Sequence, residues 1–484
     1  MVVASALALL VVIFTILLAW PRSHAPLPSS PTHYVLGDVR ILDVEQESTG
    51  PPTSIEIRDG RIVAIGTVSP GAPRIDAGGG VLMPAFWDMH MHSFQLSPQL
   101  HFPLWVANGV LNVRDMMGCP GERDSLIACA EDKKRWNDAV AAGTLAAPRI
   151  VSLTSFYFED RAMTPAEARR RVAAYDARGI DAIKVYNWLN RPAYDAVADE
   201  AAKRGIALVG HLPKRVALED AIAAGQASFE HAHLFPRHCF KGAADWRAGR
   251  LDDLPPARFL ERVVEHHDRT RCAAAYRAMA AADAAYVPTL VTREEDWRAY
   301  DASVSEDPRL DWLDPLSRWA WEDDRTSTRA HYGADGEKAL RAYFDLAAQT
   351  SAEAARAGVT LLVGTDTALG GFRYHDELAL LVKAGLPPAA VLRAATLDAA
   401  RFAGDPSRGR IAVGQRADLV LLTADPLDDI SRTRDIRAVV HGGRYLDRAA
   451  LDALLKHIRA QAAAPHLWAK LLWGFARSSV NGEL

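Results

Sequence analysis

Residues 83 to 94 read MPAFWDMHMHSF and set His90 and His92 one residue apart at the end of a strand-like run. Side chains on a strand alternate between faces, so positions i and i+2 aim the same way, and two imidazoles there converge on one point. That geometry suits a borderline divalent metal, for which neutral imidazole is a common ligand, but two ligands make only half a site. A hydrogen-bonded pair of core or surface histidines has the same spacing. Further along the chain, residues of similar chemistry end other strand-like runs: Lys184 in DAIKVY, His211 in LVGHLP, His231 and His233 in FEHAH, and Asp366 in VGTDT. Alone, each histidine reads equally as a satisfied core residue, Asp366 as a turn or helix cap, and Lys184 as a strand-end ion pair. Six such residues, His90, His92, Lys184, His211, His231 and Asp366, falling at five strand ends in chain order argue jointly against coincidence.

The elements that must position these groups are legible from periodicity. Apolar strand-like runs (HMH, GVLNVRDM, PRIVSL, DAIKVY, IALVGH, ASFEHA, AYVPTLVT, VTLLVGTD) alternate with helical patterns such as PAEARRRVAAYDARG. This is the pattern of βαβ units around a parallel sheet, and eight of them predict a (β/α)8 TIM-type barrel with its site at the carboxyl ends of the strands. Two β-rich blocks flank that α/β region, residues 33–81 and 407–447, and predict one small discontinuous β-sandwich domain beside a barrel of residues 82–406. The connections at 232–284 and 292–357 exceed ordinary loops and predict helical lids. Residues 448–484 read as a helical tail whose PHLWAKLLWGFAR either docks on the protein or contacts a membrane interface.

The N-terminal stretch has only Ser5 and Thr15 as polar residues between Val2 and Trp20, close to the ~20 apolar residues of a bilayer span. Residues 1–20 therefore read as a membrane anchor, with a cleaved signal as the rival, and the proline-rich residues 21–32 as a tether. Arg22 just beyond the apolar run mildly favours a cytoplasmic catalytic domain. Outside the cytoplasm, Cys119–Cys129 and Cys239–Cys272 are candidate disulfides, with buried free thiols the alternative. A net charge of −4 without a basic stripe gives no electrostatic case for nucleic acid. Oligomeric state is open, and so is export against a cytoplasmic location.

From about Tyr34 to Leu446 the chain resembles the amidohydrolase superfamily, in its imidazolonepropionase-like and Xaa-Pro dipeptidase-like branch. The motifs are the DGRI hairpin, MPxFxDMHMH, GVLNVRD, IKVY, EHAH, GTD, HDELALLVKAGL and GQRADLVLL; Ala85 departs from a glycine common in relatives. The resemblance implies two divalent metals, zinc foremost: His90, His92 and Asp366 on one, His211 and His231 on the other, and an N6-carboxylated Lys184 bridging them. It also implies cleavage of an amide or peptide C–N bond in a small substrate, a dipeptide such as Xaa-Pro or an N-acyl amino acid, by a metal-bridging hydroxide with Asp366 moving protons. The same water would serve a lactone, cyclic amide or phosphotriester, and a membrane-tethered binding protein without catalysis is the third reading. Tyr186 is a candidate for steadying an oxyanion, and His233 for contacting substrate if its strand runs that far. Arg237, His238, Lys241, Arg247 and Arg250 are candidates for clamping a carboxylate. Arg114 and Asp115 read as structural, and His375 and Glu377 as orienting a loop or helix.

Overall fold

A computed structural model describes residues 2–480. In the middle of the chain, helices alternate with short parallel strands. Phe86–Met91, Val110–Asp115 and Arg149–Leu153 form one ladder, and Ala182–Val185, Ala207–Gly210, Gln226–Glu230 and Ala285–Val287 form another. Single bridges, Thr154 to Ala182 and Phe158 to Val185, join the two. The sheet curls on through residues 359–364, which make no regular ladder. Leu362 N–H donates to the Tyr286 carbonyl at 2.9 Å, and Met89 N–H donates to the Val363 carbonyl at 2.8 Å. Gly364 permits this approach, because a Cβ there would lie 2.8 Å from the His90 backbone nitrogen.

Local chemistry punctuates the helices. Asn190 accepts from Ala193 N–H to start Arg191–Arg204, Pro192 sits in its first turn, and Gly205 closes it at φ 68°. AYVPTLVT is shorter as a strand than its apolar run predicts. Pro288 has no N–H for a ladder and Thr289 turns left-handed at φ 45°, so a helix, Leu290–Arg298, begins instead. The Glu377 carboxylate accepts from Leu290 and Val291 N–H, capping that helix, as expected of a residue that orients an element.

The two flanking β-rich blocks meet in one eight-stranded sheet. Its order is Arg444–Asp447, Ile436–His441, Leu419–Leu422, Val81–Pro84, His33–Asp43, Ser48–Arg58 and Arg61–Ile65, with Arg74–Asp76 also beside His33–Asp43. Alternation divides its apolar residues between two cores. Leu419 and Leu421 pack with Tyr34, Ile55 and Ile57, whereas Val420 and Leu422 join the main body.

The long connections are helical, including Pro256–Glu265, Arg269–Ala281, Pro315–Tyr332 and Gly336–Arg356. Both cysteine pairs are bonded, Cys119 to Cys129 and Cys239 to Cys272. The anchor expected at the N-terminus does form a helix, Val2–Ala19, of 18 residues. At 1.5 Å per residue that is about 27 Å, below the ~30 Å of a hydrocarbon core, and no helix among the described residues is long and apolar enough to cross a membrane.

Candidate metal centre

The strand Phe86–Met91 carries His90 on its last turn of backbone and His92 just past its end, with ring centroids 5.5 Å apart. Asp88, on the same strand, fixes it against the closing segment. One Asp88 oxygen accepts from the N–H groups of His90 and Thr365, and the other from the Thr365 hydroxyl at 2.6 Å and Trp105 Nε1 at 3.1 Å. Asp366 follows at φ 47° with an Oδ1 that lies 3.7 Å from His90 Nε2 and 3.5 Å from His92 Nε2. These three donors gather within 4.8 Å of one another.

Across the mouth, His211 and His231 bring their Nε2 atoms to 3.0 Å, and Asp366 Oδ2 is 3.8 Å from His231 Nε2. Gly210 at φ +117° lets the His211 segment pass, since a Cβ there would stand 2.3 Å from the Val185 carbonyl oxygen. Lys184 Nζ lies 3.4 Å from His92 Nε2, and its charge also acts on His211 and His231. His231, Thr289 and Asp366 all hold positive φ, a concentration of backbone strain at one point in the molecule.

The other ring nitrogens are occupied. His90 Nδ1 meets Glu230 at 3.1 Å, His211 Nδ1 meets Asn187 at 2.9 Å, and His231 Nδ1 meets Thr289 Oγ1 at 2.8 Å. Glu230 is itself held by Arg114 at 2.8 Å. The Glu230 carboxylate and the Asn187 amide oxygen can only accept, so His90 and His211 carry their hydrogen on Nδ1 and turn a lone pair inward, while the Thr289 hydroxyl orients the His231 ring. Burial, reinforced by Lys184 and neighbouring histidines, holds His90, His92, His211 and His231 well below the usual imidazole range, which keeps them neutral. Burial also brings the Lys184 amine down to about 8, against the pull of Asp366 and Glu230, and pushes Asp366 up to about 7. His90 Nε2 is buried with no hydrogen-bond partner, an orphaned acceptor pointing at Asp366. Neutral imidazoles with inward lone pairs, a carboxylate and an amine of lowered basicity are a donor set that fits divalent cations.

All six expected ligand residues are therefore brought together. Tyr186 is beside them, its ring 4.0 Å from the His211 ring, and burial raises its phenol to about 12. His233 stacks 5.6 Å from His231, but for a different reason than alternation. The strand ends at Glu230, and a turn into the helix Leu234–Cys239 places the ring. Glu230, Asn187 and Thr289 were not singled out by spacing; Glu230 alone carried a signal, standing directly before His231 in FEHAH. A cavity of about 320 Å³ opens beside His233, lined in part by Lys214, Arg237, His238 and Arg247. Lys241 and Arg250 are not among its lining residues, and Arg250 is paired with Asp245. A second cavity of about 310 Å³ adjoins His92 and Asp366, walled by Trp321 and Asp324 of the lid helix Pro315–Tyr332.

Known proteins resemble this chain over parts of its sequence and in its fold. Residues 344–446 match the model of the amidohydrolase family. Ochratoxinase from Aspergillus niger is 36% identical over 90 residues, 18% of this chain and 19% of that protein, so the match spans about a fifth of the curated relative. The structure of a bottromycin amidohydrolase superposes with a TM-score of 0.70 at 23% identity, covering 90% of this chain and 92% of its own. A putative prolidase from Bifidobacterium longum gives 0.60 at 21% identity, covering 90% and 100%. At these identities the structures share the fold, a mixed α/β architecture around a curled sheet.

Proposed function

Given an amidohydrolase-family domain, matched over residues 344–446, we propose that this protein is a metal-dependent hydrolase that cleaves an amide or peptide C–N bond of a small acid-bearing substrate. Dipeptides such as Xaa-Pro and N-acyl amino acids are the substrate classes of this reading. The observation that carries it is the pair of facing donor groups around Asp366, with the orphaned His90 Nε2 on one side and the paired Nε2 atoms of His211 and His231 on the other. The curled sheet is read as a (β/α)8 barrel of residues 82–406, with residues 33–81 and 407–447 as its satellite β-sandwich domain and 448–484 as its tail.

In this reading His90, His92 and Asp366 would hold one divalent ion, His211 and His231 would hold a second, and a carbamate on Lys184 would serve both. Zinc suits the imidazole and carboxylate set. The lowered pKa of Lys184 favours the neutral amine that adds CO2, and the carbamate turns a repelling ammonium into an anion. When bound, the ions supply Lewis acidity and a water that ionises near neutral pH. Asp366 accepts a proton from the attacking water and returns it to the departing amine, which leaves poorly unprotonated. Tyr186 stays a neutral phenol and donates to oxygen as negative charge develops. His233, with its buried Nδ1 lacking a hydrogen-bond partner, orients substrate at the entrance to the cationic cavity, where Arg237 and Arg247 meet the carboxylate. Both disulfides favour an oxidising compartment, and hence export.

The test is turnover of dipeptides, N-acyl amino acids and lactones by the metal-loaded full chain. Amidating the substrate carboxylate should raise KM at least ~tenfold, the loss of one charge-assisted contact. Equal rates for free and amidated acids would move lactones or cyclic amides to first place.

A further inference from the structure

The helix Val2–Ala19 does not lie alone. It packs along the C-terminal helix Pro465–Arg477, with Phe14 6.1 Å from Trp473 and Trp20 6.2 Å from His466 between ring centroids, and the Lys470 ammonium donates to the Leu18 carbonyl. Both helices leave large apolar side chains in the open: Leu7 is 63% exposed, Leu10 62%, Leu472 54% and Trp473 45%. Such a contiguous apolar surface marks an interaction site. Neither helix contains an acidic residue, and Arg22 and Lys470 stand at their junction. A cavity of about 410 Å³ opens there, with Leu18 and Trp473 on its apolar side and Arg22, Lys470 and Ser125 on its polar side. The one carboxylate that lines it, Asp124, accepts from the hydroxyls of Ser478 and Ser479 and remains an anion beside the two cations.

Pro465–Arg477, amphipathic and carrying Trp468, Trp473, Lys470 and Arg477, has the character of an element that lies in a bilayer interface, and Val2–Ala19, apolar on every face, extends its apolar side. We propose that the paired terminal helices dock in the plane of an anionic lipid bilayer, with Arg22 and Lys470 receiving a lipid phosphate at their junction. The apolar faces enter the acyl boundary while the two cations face the headgroups. The inference stands apart from the hydrolase reading, since it uses none of the same residues.

Flotation of the full chain with vesicles tests it, using phosphatidylcholine alone and phosphatidylcholine mixed with phosphatidylserine. Binding is expected to favour the anionic vesicles, to weaken with salt, and to quench tryptophan fluorescence when the acyl chains are brominated near the headgroup. The double variant Arg22→Glu with Lys470→Glu should lose at least ~tenfold in affinity for anionic vesicles, since each basic residue near such a surface contributes about fivefold. Leu7→Glu with Leu472→Glu should abolish the quenching, with far-ultraviolet circular dichroism and the thermal unfolding midpoint as checks on folding. The idea is overturned by equal binding to both vesicle types, by a charge variant that floats like wild type, or by resistance to alkaline extraction together with protease protection of one helix end, which would mean a span. Self-association in sedimentation without vesicle binding would give the face to a second copy and equally overturn it.

Discussion

The two halves of the candidate metal centre are built from different materials. On one side, His90 leans on a carboxylate, Glu230, which is itself anchored by the buried guanidinium of Arg114, and Asp88 ties the strand to the Asp366 segment. On the other, His211 and His231 lean on neutral groups, the Asn187 amide and the Thr289 hydroxyl. A carboxylate partner makes an imidazole a stronger donor to metal, whereas an amide or hydroxyl mainly orients it. On the proposed two-ion reading, the difference predicts that the His90/His92/Asp366 side holds its ion more tightly than the His211/His231 side.

The most severe way to break the comparison is to remove the group shared by both halves. Lys184→Ala should strip metal from both positions and abolish turnover, with partial recovery when short carboxylic acids are added; metal analysis showing full occupancy and near-normal rates would remove the bridge. Asp366→Asn keeps the shape and loses the proton acceptor, so kcat should fall at least ~10²-fold while most metal stays, and the acidic limb of the pH–rate profile should vanish. Glu230→Gln should weaken the first ion by ~10–100-fold in a competitive chelator titration, and Asn187→Ala should weaken the second by less. Equal losses at the two positions would erase the asymmetry.

The metal-free protein sharpens it further through pH. Burial raises the Asp366 carboxyl to about 7, so the folded chain binds a proton there that the unfolded chain has already released. Stability from that protonated form is present below the ordinary carboxylate range and is lost as pH climbs through about 7. Between pH 6 and pH 8 chelated protein should therefore lose more unfolding temperature, or gain less, than chelated Asp366→Asn, in which the buried histidines and Lys184 still titrate, and loaded protein should show a smaller difference because a cation favours the ionised carboxylate. The smallest effect expected is Glu377→Ala. It leaves two buried N–H groups at the start of Leu290–Arg298 uncapped, at a cost of ~1–3 kcal/mol in denaturant unfolding and with metal content unchanged.

Residue type and spacing picked out the six side chains that meet here, because each closes a strand-like run in a short, chemically distinctive word such as HMH or GTD, while their assignment as ligands rests on the resemblance. The partners behind them were hard to read for the opposite reason. Thr289 and Asn187 act through one hydrogen bond each, and Thr and Asn are common in loops, so nothing in their surroundings distinguishes them. The strand at AYVPTLVT was overextended because its apolar run continues through Pro288, where composition says strand and the missing N–H says stop. His233 reached the expected neighbourhood by a turn, which a period-two argument cannot see. The N-terminal helix was legible as a helix, but its partner, the tail more than 400 residues away, lies beyond any local pattern.

The bond between Cys239 and Cys272 has a consequence in the denatured chain. It closes a loop of 33 residues that contains most of the first lid insertion, the segment carrying Arg247. Cross-linking such a loop removes conformational freedom that unfolding would otherwise release, worth ~3–4 kcal/mol in the chain-entropy treatment. Reduction would restore that freedom to this segment first. The cationic cavity should then lose its wall in a local opening while the sheet beneath keeps its bonds, so that the redox state of one cystine sets the temperature at which substrate is no longer gripped.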